Sequence, residues 1–280
     1  MEKNVLLTIA YDGSRFHGWQ KQPKEVTVQG HLEQVMSQLF KREILLSGTS
    51  RTDAGVHALG QRASFRADLG IPTERMAMVI NNALCAAEDA GGYAKSPVRI
   101  VEAVEMPMDF HARFDCKSKE YIYRIVDGTG SQKQNDSGQG RPDPEIDMSL
   151  VFHRNYVYHV KETLDVEAMK KAAKLLEGTH DFKSFEAAGG NPRETTVRTI
   201  MSAEVMAADA TAAGRTIEFH IRGDGFLYNM VRIITGTLVE IGQGKRSPEE
   251  ITKIIEAKDR TGAGHTAPPN GLYLATVFYE

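Results

Sequence analysis

TIAYDGSRFHGW (residues 8–19) and EFHIRGDGFLYNM (218–230) share one construction. In each, a strand runs into a glycine-containing turn, aromatic residues follow, and an amphipathic helix comes next. Strand–turn–helix units are common, so the echo can arise by coincidence. Read as a duplication, it predicts an α+β chain built from two similar α/β-sandwich halves. Their largely antiparallel sheets would form a continuous surface, with the active-site cleft between the halves.

Working outward from the first copy, NVLLTIAY (4–11) reads as a strand ending at the Asp12-Gly13 turn. Val28, Leu32, Val35, Met36 and Leu39 then recur at helical spacing behind Thr27, a suitable N-cap. Glu43–Leu46 reads as a short strand entering the loop SGTSRTDAG, and Gln61–Phe65 as the strand that leaves it. Residues 73–87 repeat the helical pattern, 98–104 read as a strand, and Tyr121–Val126 alternates as a half-buried strand does.

Around the second copy, a strand is expected near Asn155–Val160. Asp165 caps a helix that carries Val166, Met169, Ala173 and Leu176 on one face. Strands follow at 196–206 and 215–222, then an apolar helix over 227–241. Ser247-Pro-Glu-Glu250 has the capping-box pattern with proline at the first helical position. Leu272–Phe278 closes as a strand. Between the halves, GTGSQKQNDSGQGRPDPEID (128–147) holds almost nothing that can pack and reads as a polar loop or linker. The predicted division is an N-terminal half, 1–107, holding the SGTSRTDAG loop, and a C-terminal half, 108–280.

At 280 residues, with 41% hydrophobic and 25% charged residues, the chain can bury a core without metal or disulfide staples. Cys85 and Cys116 lack metal-site or redox spacing, and Cys85 sits in an apolar run that suggests a buried thiol. No apolar stretch is long enough to cross a bilayer, and MEKNVLLTIAYDG lacks signal-peptide architecture, so a cytoplasmic protein without membrane partners is expected. The net charge of −3 argues against a nucleic-acid binder. A local basic cleft is still compatible with it, since field depends on where charge sits. His111, Arg113, Lys117, Lys119 and Arg124 cluster in this way, diluted by Asp115 and Glu120.

The loop Ser47–Ala58, SGTSRTDAGVHA, carries the densest chemistry. Glycines and short polar residues permit a tight backbone at a strand end, able to present Arg51 and Asp53 to a cleft. Taken blind, an aspartate in such a loop is more often a cap than a catalyst.

SRTDAGVHA, preceded by YDGSRFHGWQ, closely resembles the signature of the TruA family of tRNA pseudouridine synthases. The resemblance continues through FHARFDCKSKEYIYRI (110–125), DFKSF (181–185), TVRTI (196–200), FLYNMVRIITGTLVEIGQGK (226–245) and TAPPNGLYLATVFY (266–279), in family order over nearly the whole chain. Ser50 departs from it, standing where many members have glycine.

The resemblance implies isomerisation of uridine to pseudouridine at positions 38–40 of the tRNA anticodon arm, without cofactor or metal, by a homodimer that places one tRNA across both subunits. It makes Asp53 the catalytic carboxylate. The reaction breaks the bond from C1′ to N1, turns the uracil, and rejoins it through C5. A carboxylate can attack C1′, stabilise positive charge there, add to C6, or help remove a proton. Charge on Asp53 in a desolvated site calls for a nearby cation. Arg51 is one candidate, and Arg232, in an otherwise apolar helix, is the other and resembles the family's buried basic residue. Arg51 could instead fill the space left by the flipped base.

Tyr121 matches the family's active-site tyrosine and would stack on the uracil or mediate loss of the C5 proton. With an ordinary phenol pKa of about 10, stacking is the easier role. Tyr123 shares its strand face and serves as internal control. Arg15, Arg113, Lys117 and Lys119, with Tyr121, are the substrate-binding candidates, and Lys21, Arg62 and Lys245 also lie beside family blocks. DFKSF is either a lid or a packed turn.

Two other function classes fit the residues less well. A metal-dependent hydrolase using Asp53, His57, and His111 or Asp115 is disfavoured by Gly55, which puts the first pair on a loop, and by the lack of an HExxH pattern. A non-catalytic RNA-binding module lacks the aromatic strand of an RRM and has no use for Asp53.

Overall fold

The computed structural model describes residues 2–87, 96–128, 151–190, 194–208 and 214–280. Apart from Gly128, the polar 128–147 segment lies outside the described residues. The chain forms two compact units, Met1–Lys119 with Tyr273–Glu280, and Glu120–Leu272.

In the first unit, β1 (Lys3–Tyr11) pairs antiparallel with β3 (His57–Ala67) on one side and β4 (Val98–Met106) on the other. The short β2 (Ser47–Gly48) lies antiparallel on β3, and β10 (Leu272–Phe278) pairs with it in parallel. Val5, Leu7 and Ile9 are fully buried on the alternating face of β1, which suits a strand flanked on both sides.

Helix α1 (Val28–Phe40) starts where expected, with Thr27 accepting a hydrogen bond from the Gly30 N–H. Helix α2 (Thr73–Ala87) packs on α1 and β4. Glu43–Leu46, expected as a strand, is not one. Its backbone is held by α1 side chains instead, with Ile44 N–H donating to Ser37 Oγ at 2.9 Å and Leu46 N–H to Glu33 Oε1 at 3.0 Å. Cys85 is half-exposed rather than buried.

In the second unit the sheet order is β5 (Ser118–Asp127), β9 (Arg215–Gly223), β8 (Val197–Ala207), β7 (Gly178–Asp181), with β6 (Tyr158–Val160) parallel to β5. The strand expected over 155–160 is shorter because Tyr156 N–H closes a turn onto the His153 carbonyl. Asp165 caps α3 (Val166–Lys174), and that helix packs on β8 and on α4 (Met230–Gly242). Both units therefore have a largely antiparallel sheet with packed helices, the α+β class expected.

Helix α4 is buried almost throughout. Thr235 and Thr237 satisfy their hydroxyls on the carbonyls of Val231 and Ile233, so they can sit in the core. Segment 260–271 crosses it so closely that a Cβ on Gly236 would collide with the His265 backbone. Helix α5 (Glu250–Ala257) opens with the reciprocal half of the capping box, Ser247 N–H donating to Glu250 Oε1 at 2.9 Å.

Glu240 holds this wrapping segment. Burial alone would raise its pKa, but the His265 ring and backbone N–H together with Arg246 outweigh that and hold it at about 2. A depressed carboxylate contributes stability that is present above its ordinary value of 4.5 and is lost as pH falls toward about 2. The shift corresponds to about 3 kcal/mol. Urea unfolding at pH 7 and pH 3 should show most of the loss in the wild type, and a much smaller pH difference in Glu240→Gln.

Candidate active site

The two motifs nearest the N-terminus are one interlocked object. Segment 12–19 lies over loop 48–56, and glycines set the distance between them. A Cβ on Gly13 would overlap the Val56 carbonyl, one on Gly18 would come within 2.5 Å of the Thr52 oxygen, and one on Gly48 would strike the Trp19 indole. Hydrogen bonds complete the clamp. Trp19 N–H donates to the Thr52 carbonyl at 3.1 Å, and Gly55 N–H to that of Phe16 at 3.3 Å. The Tyr11 and Thr52 hydroxyls pair at 2.7 Å.

From the other side, buried Gln61 on β3 grips Ser50 twice. Its amide donates to the Ser50 carbonyl at 2.8 Å, and its oxygen accepts the Ser50 N–H at 3.3 Å. Asp53 opens a tight turn closed by Val56 N–H onto the Asp53 carbonyl at 3.1 Å. Its third residue, Gly55, has φ 78°, the left-handed value a type II turn requires there. The loop backbone is thus fixed before any substrate arrives. Along it Ser50 and Thr52 are buried, Arg51 is exposed, and Asp53 is half-buried.

His57 belongs to this framework. Only 1% exposed, it accepts the Gly13 N–H on Nδ1 at 3.1 Å and stacks on Tyr273 with ring centroids 4.8 Å apart. That nitrogen also lies 3.3 Å from Asp12 Oδ1. The Asp12 oxygen already receives both the N–H and the hydroxyl of Ser14, so the Gly13 bond is the one that fixes the ring. His57 supports the turn. Among the described residues, no group of three His, Cys, Asp or Glu side chains is arranged to hold a metal ion.

Ser50 is buried, and among the described residues its hydroxyl has no hydrogen-bond partner. Its backbone groups are served by Gln61, so the side chain is not needed for the clamp. Ser50→Ala should leave the unfolding free energy unchanged or raise it by about 1 kcal/mol, because it removes a desolvated hydroxyl. A clear loss in urea titration would show that the hydroxyl is used.

Arg15, Arg113 and Lys117 are exposed and Lys119 is half-buried. Lys21 is tied to Glu33 at 3.2 Å, and Arg62 lies 3.9 Å from Glu102. Burial pushes the Cys116 thiol above its usual value, against a smaller opposing pull from Lys119.

In the second unit, Tyr121 is 8% exposed, and its ring meets Phe226 edge-on with centroids 5.1 Å apart. Tyr123 lies on the same face of β5, fully buried, and donates its hydroxyl to the Pro268 carbonyl at 2.6 Å. Burial holds its phenol well above the ordinary value, with Arg232 opposing. The DFKSF block is a packed turn: Phe182 and Phe185 are fully buried, and Ser184 Oγ bonds the Ile254 carbonyl.

Arg232 is half-buried near the start of α4 and held at two points. Its Nε donates to the Ala267 carbonyl at 2.7 Å and Nη1 to Asn229 Oδ1 at 2.7 Å. Asn229 stands at the helix N-cap in a left-handed conformation, φ 57°, yet its side chain makes no cap bond. Its oxygen is used on Arg232 instead. Sequence reading passed over this residue, although the Asn–Arg spacing of three on a helix start was visible in FLYNMVR.

A family profile described as tRNA pseudouridine synthase matches residues 7–115 and 172–280, two stretches of equal length. The protein named tRNA pseudouridine synthase A 2 from Clostridium tetani is 43% identical over 282 residues, covering 100% of both chains. The tRNA pseudouridine synthase A of Halalkalibacterium halodurans is 45% identical over 271 residues, 96% of this chain and 90% of that one. That of Acetivibrio thermocellus is 42% identical over 277 residues, 99% of this chain and all of the other. The clamped loop, the double match and full-length identity converge, and the chain belongs to the TruA family of tRNA pseudouridine synthases.

Proposed function

We propose that this protein isomerises uridine to pseudouridine in the anticodon arm of tRNA, at positions 38–40, with Asp53 as the catalytic carboxylate and no cofactor. The observation that carries the reading is the clamp, in which the Asp53 backbone is immobilised from both sides while Asp53 is half-buried and Arg51 exposed. Fixed geometry of this kind is what a rate-accelerating group needs and a mere turn cap does not.

The chemistry balances within the substrate. The C1′–N1 bond breaks, N1 takes up a proton, the uracil turns, C1′ bonds to C5, and the C5 proton leaves. Asp53 supplies the negative oxygen for the cationic or adduct stage, Tyr121 offers a ring face for the uracil, and Arg51 and Arg232 supply positive charge. Arg15, Arg113, Lys117 and Lys119 meet phosphates. We assign the protein to the cytoplasm and to a homodimer, in which basic side chains from two copies line one cavity although each chain carries a net charge of −3.

An unmodified tRNA transcript incubated with the purified protein and excess chelator tests this. Pseudouridine mapped to positions 38–40 is the expected result. Product only when metal is restored, or none at all, would refute it.

A further inference from the structure

We infer that Arg113 and Phe114 form a stacking platform for an unpaired base of the substrate RNA, mounted on the same framework as the Asp53 loop. The inference rests on the tRNA reading above and adds a binding residue to it.

Phe114 is 74% exposed, more than any other large apolar side chain among the described residues. An isolated exposed phenylalanine means little on its own. What sets this one apart is the rigidity beneath it. His111 N–H donates to Asp115 Oδ2 at 2.7 Å, Asp115 N–H to the His111 carbonyl at 3.1 Å, and Arg113 N–H to His111 Nδ1 at 3.1 Å. The turn is closed at three points.

Ala112, fully buried at its centre, ties the turn to the catalytic loop. Its N–H donates to Ser64 Oγ at 3.2 Å, and its carbonyl accepts from Thr49 Oγ1 at 2.9 Å and Tyr279 OH at 3.0 Å. Thr49 lies in the loop that carries Asp53. The backbone that carries residues 113 and 114 therefore keeps a set position relative to that loop.

The side chains suit a nucleotide. The His111 ring backs Phe114 at a centroid distance of 4.3 Å and the Arg113 guanidinium lies 5.8 Å from the ring centre. Lys117, a few residues on, is exposed as well. The Asp115 carboxylate, which would repel phosphate, is engaged by the His111 N–H. An exposed aromatic ring beside the Arg113 guanidinium takes a base by stacking and its phosphate by charge. Stacking tolerates any base, as a protein acting at neighbouring positions requires.

Binding and single-turnover rate on tRNA test the platform. Phe114→Ala should weaken tRNA binding by about 5- to 150-fold, the range found for lost base–aromatic stacking. Its rate at saturation and its melting temperature should stay near wild type. Phe114→Trp should bind close to wild type, whereas Phe114→Leu, bulky and apolar without a π-face, should resemble the alanine variant. Leucine binding as well as phenylalanine, or alanine with unchanged affinity, overturns the platform while leaving the tRNA reading intact. Wild-type protein that neither binds nor modifies tRNA overturns that reading itself.

Discussion

Asp53→Asn is expected to lower the rate of pseudouridine formation by about 10⁴-fold or more, as loss of an essential reacting group does in other enzymes. Affinity for tRNA should change only a few-fold, because phosphate contacts dominate binding. The folded state should survive as well. The turn at Asp53 is closed through its backbone carbonyl, and its neighbours are gripped by Trp19, Gln61 and Tyr11, none of which depends on the carboxylate. An amide has nearly the same shape but cannot carry the negative charge that each available route demands. Rapid-quench assays with enzyme in excess separate the two effects. Asparagine supporting even a tenth of the wild-type rate would remove Asp53 from the chemistry.

The second large effect separates the two tyrosines of β5. Tyr123→Ala should cost about 3–5 kcal/mol of stability, the usual range for removing a buried aromatic. Its ring fills the space beside Gly271, where a Cβ would lie 2.6 Å from Tyr123 Cε1, and its hydroxyl holds the Pro268 carbonyl. Activity per folded molecule should fall much less. Tyr121→Ala also loses buried surface, so a stability loss alone is uninformative there. Its distinguishing result is a drop of about 10²-fold or more in turnover per folded molecule. Tyr121→Phe then divides its roles: retained turnover means stacking, and lost turnover means proton transfer. Equal catalytic loss from both alanine variants, after correction for the folded fraction, would contradict this separation.

Much of the fold was legible because its determinants are local. Thr27 and Asp165 cap helices where the pattern placed them, and 73–87 and 272–278 have the bounds the periodicity gave. One failure occurred where helix side chains satisfy a backbone. Glu43–Leu46 has strand-like composition, yet Ser37 and Glu33 of α1 take its N–H groups, which no local pattern reveals. In the site, SRTDAG was readable as a motif, but its rigidity was not. That depends on Gly13, Gly18 and Trp19 packing over it, contacts spanning about thirty to forty positions in sequence. Asn229 escaped notice for a related reason. It falls inside the helix expected over 227–241, and only the coordinates show it at the N-cap with its oxygen turned to Arg232.

Turning a uracil about its ribose has one unavoidable signature, loss of the hydrogen at C5 with the RNA chain intact. The decisive measurement is therefore a single-turnover assay on tRNA bearing tritium at uridine C5, with wild-type enzyme in excess and no added metal or nucleotide. The predicted outcome is one tritium released to water for each target uridine, from strands of unchanged length. Retention of the label, or release accompanied by strand cleavage, would contradict the account.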